Sequence, residues 1–320
     1  MKKNKSIPEL IGELRSCKGS RFRTAGRLMS LAEESPEKTI EILRELSSEP
    51  LPRIILGITG APGSGKSLLT GRLIAEFRGR YPDRMIGVIA VDPSSPISGG
   101  AILGDRVRMM QHANDPQVFI RSIATHGQLG GVTLGTMGII SIMGALGCDM
   151  VIVETVGVGQ MEFAVKEVAD TVAIVLAPGQ GDTMQFLKAG LMEIGDMFIV
   201  NKADRPDSAQ FYAQLVNALR LSDCARGREG NMPVLMVSAR DNLGIFEFFD
   251  TLEDSFVHEH TSWEVARQKH LEMLVKHAIL SEASKRLETL LEKQENISKK
   301  ILDGEISLSS CIETLMGELK

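Results

Sequence analysis

Apolar residues change their spacing twice along this chain. Over residues 1–50 they fall at helical intervals: Leu10, Ile11 and Leu14 form one stripe, and Ala32, Ile40, Leu43 and Leu46 form another. Ser35-Pro36-Glu37 reads as an N-cap followed by proline in the first helical turn. From Arg53 onward short continuous apolar runs replace the stripes, at Ile54–Thr59, Met85–Val91, Val118–Arg121, Met150–Glu154, Val172–Ala177, Met197–Val200 and Val234–Val237. Segments of helical length separate most of them, among them Ser67–Gly79, Asp105–Ala113 and Ala209–Leu219. Strands rich in Ile and Val that alternate with helices predict an α/β fold, a mostly parallel central sheet covered by helices on both faces. From about Ser262 the helical spacing returns. Leu271, Leu274, Val275, Ala278 and Ile279 match i, i+3, i+4, i+7 and i+8, and Leu287, Leu290 and Leu291 extend the stripe. Asp303-Gly304 interrupts it before a last short helix with Ile312, Leu315 and Met316. The pattern divides the chain into an N-terminal helical extension (1–50), an α/β domain (51–260) and a C-terminal helical arm (261–320), with no repeat and no low-complexity linker.

Composition narrows the function classes. A chain of 320 residues, 43% hydrophobic, can bury a large core without disulfides or metals to staple it. A formal net charge of −5 gives no electrostatic case for binding nucleic acid or an anionic membrane. Cys17, Cys148, Cys224 and Cys311 are scattered, lack metal-ligand spacing, and read as thiols of a reducing compartment. The basic start Met1-Lys2-Lys3-Asn4-Lys5 is not followed by a signal-peptide core, because Glu9, Glu13 and Arg15 intervene. The longest apolar runs are strand-sized, so no membrane span and a cytoplasmic location are expected.

The chemistry lies just after the strands, where ligands of parallel sheets sit. Gly60-Ala61-Pro62-Gly63-Ser64-Gly65-Lys66-Ser67 fits G-x-x-x-x-G-K-[ST], follows a strand, and opens the helical segment Ser67–Gly79, with Leu68 counted with the loop among the nucleotide-binding residues. Such a loop wraps phosphates with backbone N–H groups. Its lysine neutralises the β- and γ-phosphates, its serine ligates Mg²⁺, and the helix N-terminus adds its dipole. Asn201-Lys202-Ala203-Asp204 follows the strand Met197–Val200. A carboxylate such as Asp204 accepts from guanine N1–H and the exocyclic amine, and adenine has no matching donor pair. The Lys202 stem can lie over the base and Asn201 can tie the two loops together. Ser238-Ala239-Arg240, after the next strand, offers backbone N–H groups to guanine O6.

Three carboxylates fit the needs of magnesium and the attacking water: Asp92, Asp105 and Glu154. One or two of them, with Ser67 and phosphate, satisfy Mg²⁺, and the remaining one could orient water or stand behind the ligands. Asp92 precedes Pro93 and could instead form a turn, and Asp105 could be a helix N-cap. Glu154 ends an apolar strand, where an unpaired carboxylate is expensive. Gly157, within Glu154-Thr155-Val156-Gly157-Val158-Gly159-Gln160, would bring its N–H to a γ-phosphate and act as a hinge. Gln160 either positions water or is a solvated loop residue. Together these motifs predict a P-loop protein that binds GTP/GDP with Mg²⁺ and hydrolyses GTP, with Lys66, Asp92, Asp105 and Glu154 as its catalytic set.

With these residues assembled, the sequence resembles the MeaB/ArgK/methylmalonic aciduria type A family over nearly its whole length. The narrow motifs are Val91-Asp92-Pro93-Ser94-Ser95-Pro96, Gly99-Gly100-Ala101-Ile102-Leu103-Gly104-Asp105-Arg106, Leu129-Gly130-Gly131, the Glu154–Gln160 segment and Pro178-Gly179-Gln180-Gly181-Asp182. The resemblance implies a GTPase that chaperones an adenosylcobalamin-dependent acyl-CoA mutase, such as methylmalonyl-CoA mutase, in loading, protection or rescue of its cofactor. It implies an additional switch over Pro178–Lys188, with Gln185 and Lys188 meeting the partner, although Lys188 alone reads as a helix-surface charge. It implies a homodimer through the C-terminal arm, whereas the stripe near Leu271–Ile279 is equally that of a helical subdomain. The base-off cobalamin motif Asp-x-His-x-x-Gly is absent from the sequence, so cobalamin is expected only through the partner.

Pro96-Ile97 and the segment Arg121–Gly127, with His126, depart from the family pattern and bear on which mutase is served. Rival readings are a nickel-delivery maturation GTPase, a P-loop kinase and a scaffold without meaningful hydrolysis. Against the first, no cysteine lies within four residues of another cysteine or a histidine. Against the second, Asp204 reads guanine.

Overall fold

A computed structural model describes residues 5–16, 21–92, 112, 114–124, 129–155, 164–179, 192–226, 232–258, 260–293 and 297–318. Its strands are β1 Ile54–Thr59, β2 Met85–Asp92, β3 Val118–Ala124, β4 Cys148–Thr155, β5 Thr171–Leu176, β6 Met197–Val200 and β7 Val234–Met236. The longer helices are α1 Ile7–Arg15, α2 Arg21–Glu34, α3 Pro36–Glu45, α4 Lys66–Arg80 and α5 Leu129–Leu146. After them come α6 Ser208–Arg226, α7 Ile245–His258, α8 His260–Lys293, α9 Ile297–Leu302 and α10 Leu308–Glu318. The expected helix Asp105–Ala113 lies, except for His112, outside the described residues.

The strands form one seven-stranded sheet in the order β3-β2-β4-β1-β5-β6-β7. Every pairing in it is parallel, as helix-covered strands require. β1 sits between β4 and β5. The chain leaves β1 toward β2 on one side and later builds β5, β6 and β7 on the other. The crevice at the carboxyl end of β1 is therefore the topological switch point, the place where ligands enter such sheets.

All six residues of β1 are buried; Ile54, Leu56 and Ile58 face one apolar cluster and Ile55 the opposite one. Ile54, Leu56 and Ile58 pack with Leu69, Leu73 and Phe77 of α4 and with Phe248, Phe249 and Leu252 of α7. Ile55 belongs to the opposite cluster with Ile139, Ile140 and Met143 of α5 and with Leu215 and Leu219 of α6. The same cluster takes in Leu10, Ile11 and Leu14 of α1, Leu28 and Met29 of α2, and Ile42 of α3. Helices α1, α2 and α3 thus share the core of the sheet. Ser6 and Glu9 start α1 with a capping box, and Ser35 caps α3 ahead of Pro36.

The long helix α8 returns to the root of the sheet. Arg267 Nε and Nη2 donate to the two carboxylate oxygens of Asp170 at 2.7 and 2.6 Å. Nη2 also donates to the carbonyls of Pro52 and Arg53 at 2.9 and 3.0 Å. Asp170 Oδ2 accepts from Ile55 N–H at 2.9 Å as well, so one buried carboxylate joins α8 to β1. Further along, Lys285 pairs with Glu37 of α3. Leu271, Val275 and Ile279 of the sequence stripe are exposed in the single chain, and Ala278 packs against the core.

Candidate nucleotide-binding site

The loop Gly60–Gly65 connects β1 to α4 at the switch point, and its backbone is one that side chains would obstruct. Gly60 has φ +136°, and a Cβ there would lie 2.1 Å from the Val175 carbonyl oxygen of β5. Gly65 has φ +93°, and a Cβ would lie 2.5 Å from Asn201 Nδ2. Lys66 and Ser67, the first residues of α4, are both buried. Lys66 Nζ donates to the carbonyls of Gly60 and Ala61 at 2.7 and 3.1 Å, so the ammonium lies folded over the loop that would hold phosphate. The Ser64 hydroxyl is fully buried and has no partner among the described residues, a polar atom that a polar guest or water would satisfy.

Glu154 arrives from the carboxyl end of β4 and is fully buried. Ser67 Oγ donates to its Oε1 at 2.7 Å and Thr70 Oγ1 donates to its Oε2 at 2.8 Å. A serine hydroxyl that donates its proton to a carboxylate turns its lone pairs elsewhere, which is the orientation a magnesium ligand needs. Glu154 therefore stands directly behind Ser67. Thr155 Oγ1 donates to Thr59 Oγ1 at 2.7 Å, joining the carboxyl ends of β4 and β1. Asp92 closes β2, its backbone in register with Ala124 of β3. Asp105, Gly157, Gln160, Gln185 and Lys188 lie outside the described residues.

On the other side of β1 the guanine motif follows β6. Asn201 is buried and joins three segments: its Nδ2 donates to Ser64 O at 2.8 Å and its Oδ1 accepts from Ala239 N–H at 3.1 Å. That bond commits the Ala239 N–H to Asn201. Lys202 adopts φ +61°, an uncommon conformation for a residue with a side chain, and its Nζ reaches Gly63 O at 2.7 Å. Asp204 accepts from Ser238 Oγ at 2.7 Å and pairs with Arg240 Nη1 at 3.3 Å. The Ser238 hydroxyl, ahead of the neighbouring cations, holds the Asp204 carboxyl below its ordinary range, against the opposing effect of burial. The carboxylate is ionised at neutral pH, so both of its oxygens can accept from N–H donors.

Two residues had no signal in the sequence. Thr70 supplies the second donor to Glu154, and Arg72, also on α4, donates to the carbonyls of Ala239 and Arg240 at 2.8 and 3.1 Å. Among the described residues the site is built of oxygen and nitrogen groups. Cys148 is buried at the start of β4, where burial pushes its thiol up to about 12, far from a metal-binding thiolate. No helix among the described residues is long and apolar enough to cross a membrane.

Comparison with known proteins agrees with this geometry. The family model described as methylmalonyl-CoA mutase-associated GTPase MeaB matches residues 25–291. A relative from Pyrococcus abyssi is 41% identical over 318 residues, covering 98% of this chain and 97% of its own. The Mus musculus protein named methylmalonic aciduria type A homolog, mitochondrial, is 32% identical over 313 residues, covering 93% of this chain and 74% of its own. A solved structure described as LAO/AO transport system kinase superposes with a TM-score of 0.60 at 22% identity, covering 98% of this chain and 97% of that one, a likeness of fold. A phosphate loop at the switch point of a parallel sheet, a carboxylate behind its serine and a family match across most of the chain have one common account: this chain belongs to the MeaB family of methylmalonyl-CoA mutase-associated P-loop GTPases.

Proposed function

We propose that this chain binds GTP with magnesium at the carboxyl end of β1 and hydrolyses it to GDP and phosphate, slowly until a partner accelerates it. The work serves an adenosylcobalamin-dependent acyl-CoA mutase, through loading, protection or reactivation of its cobalamin. The match of residues 25–291 to a family described by its association with methylmalonyl-CoA mutase carries the partner half of this reading.

The loop Gly60–Ser67 wraps the triphosphate, and Lys66 exchanges the carbonyls of Gly60 and Ala61 for β- and γ-phosphate oxygens. Ser67, with Asp92 or Asp105 and phosphate oxygens, suits the all-oxygen shell that magnesium takes. When bound, the ion neutralises charge developing on the phosphates. Glu154 orients the Ser67 hydroxyl from behind. Asp204 reads the N1–H and 2-amino edge of guanine, the Lys202 stem covers the base, and the turn Ser238–Arg240 faces its 6-oxo group. Gly157 senses the γ-phosphate, and Gln185 and Lys188 carry the state of the site to the mutase. Cobalamin stays with the partner, the arm 261–320 pairs two copies, and the protein works in the cytoplasm.

The test is capture from the native cell extract on immobilised chain, with and without a non-hydrolysable GTP analogue. Nucleotide-dependent retention of a corrinoid acyl-CoA mutase is the expected result. Retention of a nickel-enzyme maturation target instead, or of no mutase in either condition, refutes the chaperone role and leaves GTP hydrolysis to be judged separately.

A further inference from the structure

Arg72 lies in the second turn of α4, and its guanidinium crosses to a loop more than 160 positions away in sequence. Nε donates to Ala239 O at 2.8 Å and Nη2 to Arg240 O at 3.1 Å. Two donors fixed in one plane thus grip two successive carbonyls, a geometry that only a guanidinium supplies.

The grip has a consequence for the opposite edge of those peptides. In a trans peptide the C=O and the following N–H point in opposite directions. Holding Ala239 O toward α4 turns the Arg240 N–H away from it. Holding Arg240 O likewise turns the Asp241 N–H, which donates to Ser238 Oγ at 3.2 Å. Ser238 Oγ in turn donates to Asp204 Oδ1 at 2.7 Å. A positive charge on the carbonyl side also polarises each peptide and strengthens its N–H as a donor. The Ala239 N–H is already engaged by Asn201 Oδ1, which leaves the Arg240 N–H as the donor that Arg72 orients for a base.

We propose that Arg72 is a positioning residue for guanine recognition, setting the Ala239–Asp241 turn so that the Arg240 N–H meets the 6-oxo group while Ser238 steadies Asp204. This rests on the reading of Asp204 and the turn as the base site. It ties base recognition to α4, the helix that begins at Lys66 and Ser67, so one rigid element serves both ends of the nucleotide.

The experiment compares binding of GDP, IDP (no 2-amino group) and 2-aminopurine riboside diphosphate (no 6-oxo group and, with it, no N1–H) by wild type, Arg72→Ala and Arg72→Lys, the IDP comparison reporting any change at Asp204 itself. Thermal melting of each protein is recorded alongside. The preference of wild type for GDP over the 2-aminopurine analogue is expected to shrink about tenfold in Arg72→Ala, about the worth of one well-aligned hydrogen bond. The preference over IDP should shrink less, and Arg72→Lys, which keeps the charge but not the fork, should fall between. Equal weakening of all three ligands, with both ratios unchanged, means that Arg72 only stabilises the fold and overturns the proposal. A ratio in Arg72→Lys no different from wild type overturns the fork argument. A wild type that does not prefer GDP over either analogue instead refutes the guanine site itself, and the proposal with it.

Discussion

The Arg267–Asp170 pair offers the sharpest test of the energetics, because its two partners are unequally buried. The Asp170 side chain has 0% exposure and that of Arg267 30%. Arg267→Met keeps the aliphatic stem but removes both hydrogen bonds to the carboxylate and both to the carbonyls of Pro52 and Arg53. What remains is a buried carboxylate with Ile55 N–H at 2.9 Å. Removing one member of a buried pair costs about 3–5 kcal/mol, and the partial exposure of Arg267 argues for the lower end, about 3 kcal/mol. At roughly 2 °C per kcal/mol for a large domain, the melting temperature should fall by about 6 °C. Scanning fluorimetry at a fixed rate, supported by urea unfolding, measures it. The diagnostic comparison is Arg267→Met with and without Asp170→Asn. An amide still accepts from Ile55 N–H and carries no charge to strand, so the double variant should regain about 1–2 kcal/mol, a coupling ordinary for residues in contact. A double variant less stable than Arg267→Met, or a single variant that melts with wild type, would show that this pair does not anchor α8 to β1.

Other expected outcomes follow from the nucleotide site. Lys66→Ala should abolish tight GTP binding in a filter or fluorescence assay while the far-ultraviolet circular dichroism stays that of wild type. Asp204→Asn should weaken GTP roughly ten- to a hundredfold and favour xanthosine triphosphate, because an amide donates to the second oxo group; unchanged guanine preference would refute the base reading. The Asp204 carboxyl is held below its ordinary range, so guanine preference should be flat from neutral pH down to about 4 and fall only as protonation removes the acceptor below that. A midpoint near neutrality would contradict the assignment. Thr70→Val leaves Glu154 without one of its hydroxyl donors, and should cost about 2 kcal/mol and raise the magnesium needed for GTP binding about tenfold.

Much of this was legible in the sequence where local pattern and local cause coincide. The runs Ile54–Thr59 and Met197–Val200 are β1 and β6 to the residue, because a strand buried on both faces is one unbroken apolar run. β3 runs on past Arg121 to Ala124, since at the sheet edge Arg121 can stay paired with Glu33 of α2 while its backbone remains in the ladder. α5 escaped the periodicity because it is apolar on all sides. Ile139, Ile140, Ile142 and Met143 are all fully buried, and a helix without a polar face has no stripe. The glycine loop and Asn201–Asp204 announced themselves because phosphate and guanine impose fixed residue types at fixed spacing. Arg72, Thr70 and Arg267 could not be found that way. Their partners are 84 to 215 positions distant, and only the folded sheet brings them together.

The central claim joins magnesium-dependent GTP hydrolysis at the switch point to a mutase partner. Single-turnover release of phosphate from GTP, by the chain alone and with a purified adenosylcobalamin-dependent acyl-CoA mutase, tests both halves at once. The expected result is slow magnesium-dependent cleavage by the chain alone, clear acceleration by the mutase, and neither in Lys66→Ala. Cleavage that ignores the mutase, or that persists undiminished in Lys66→Ala, would contradict it.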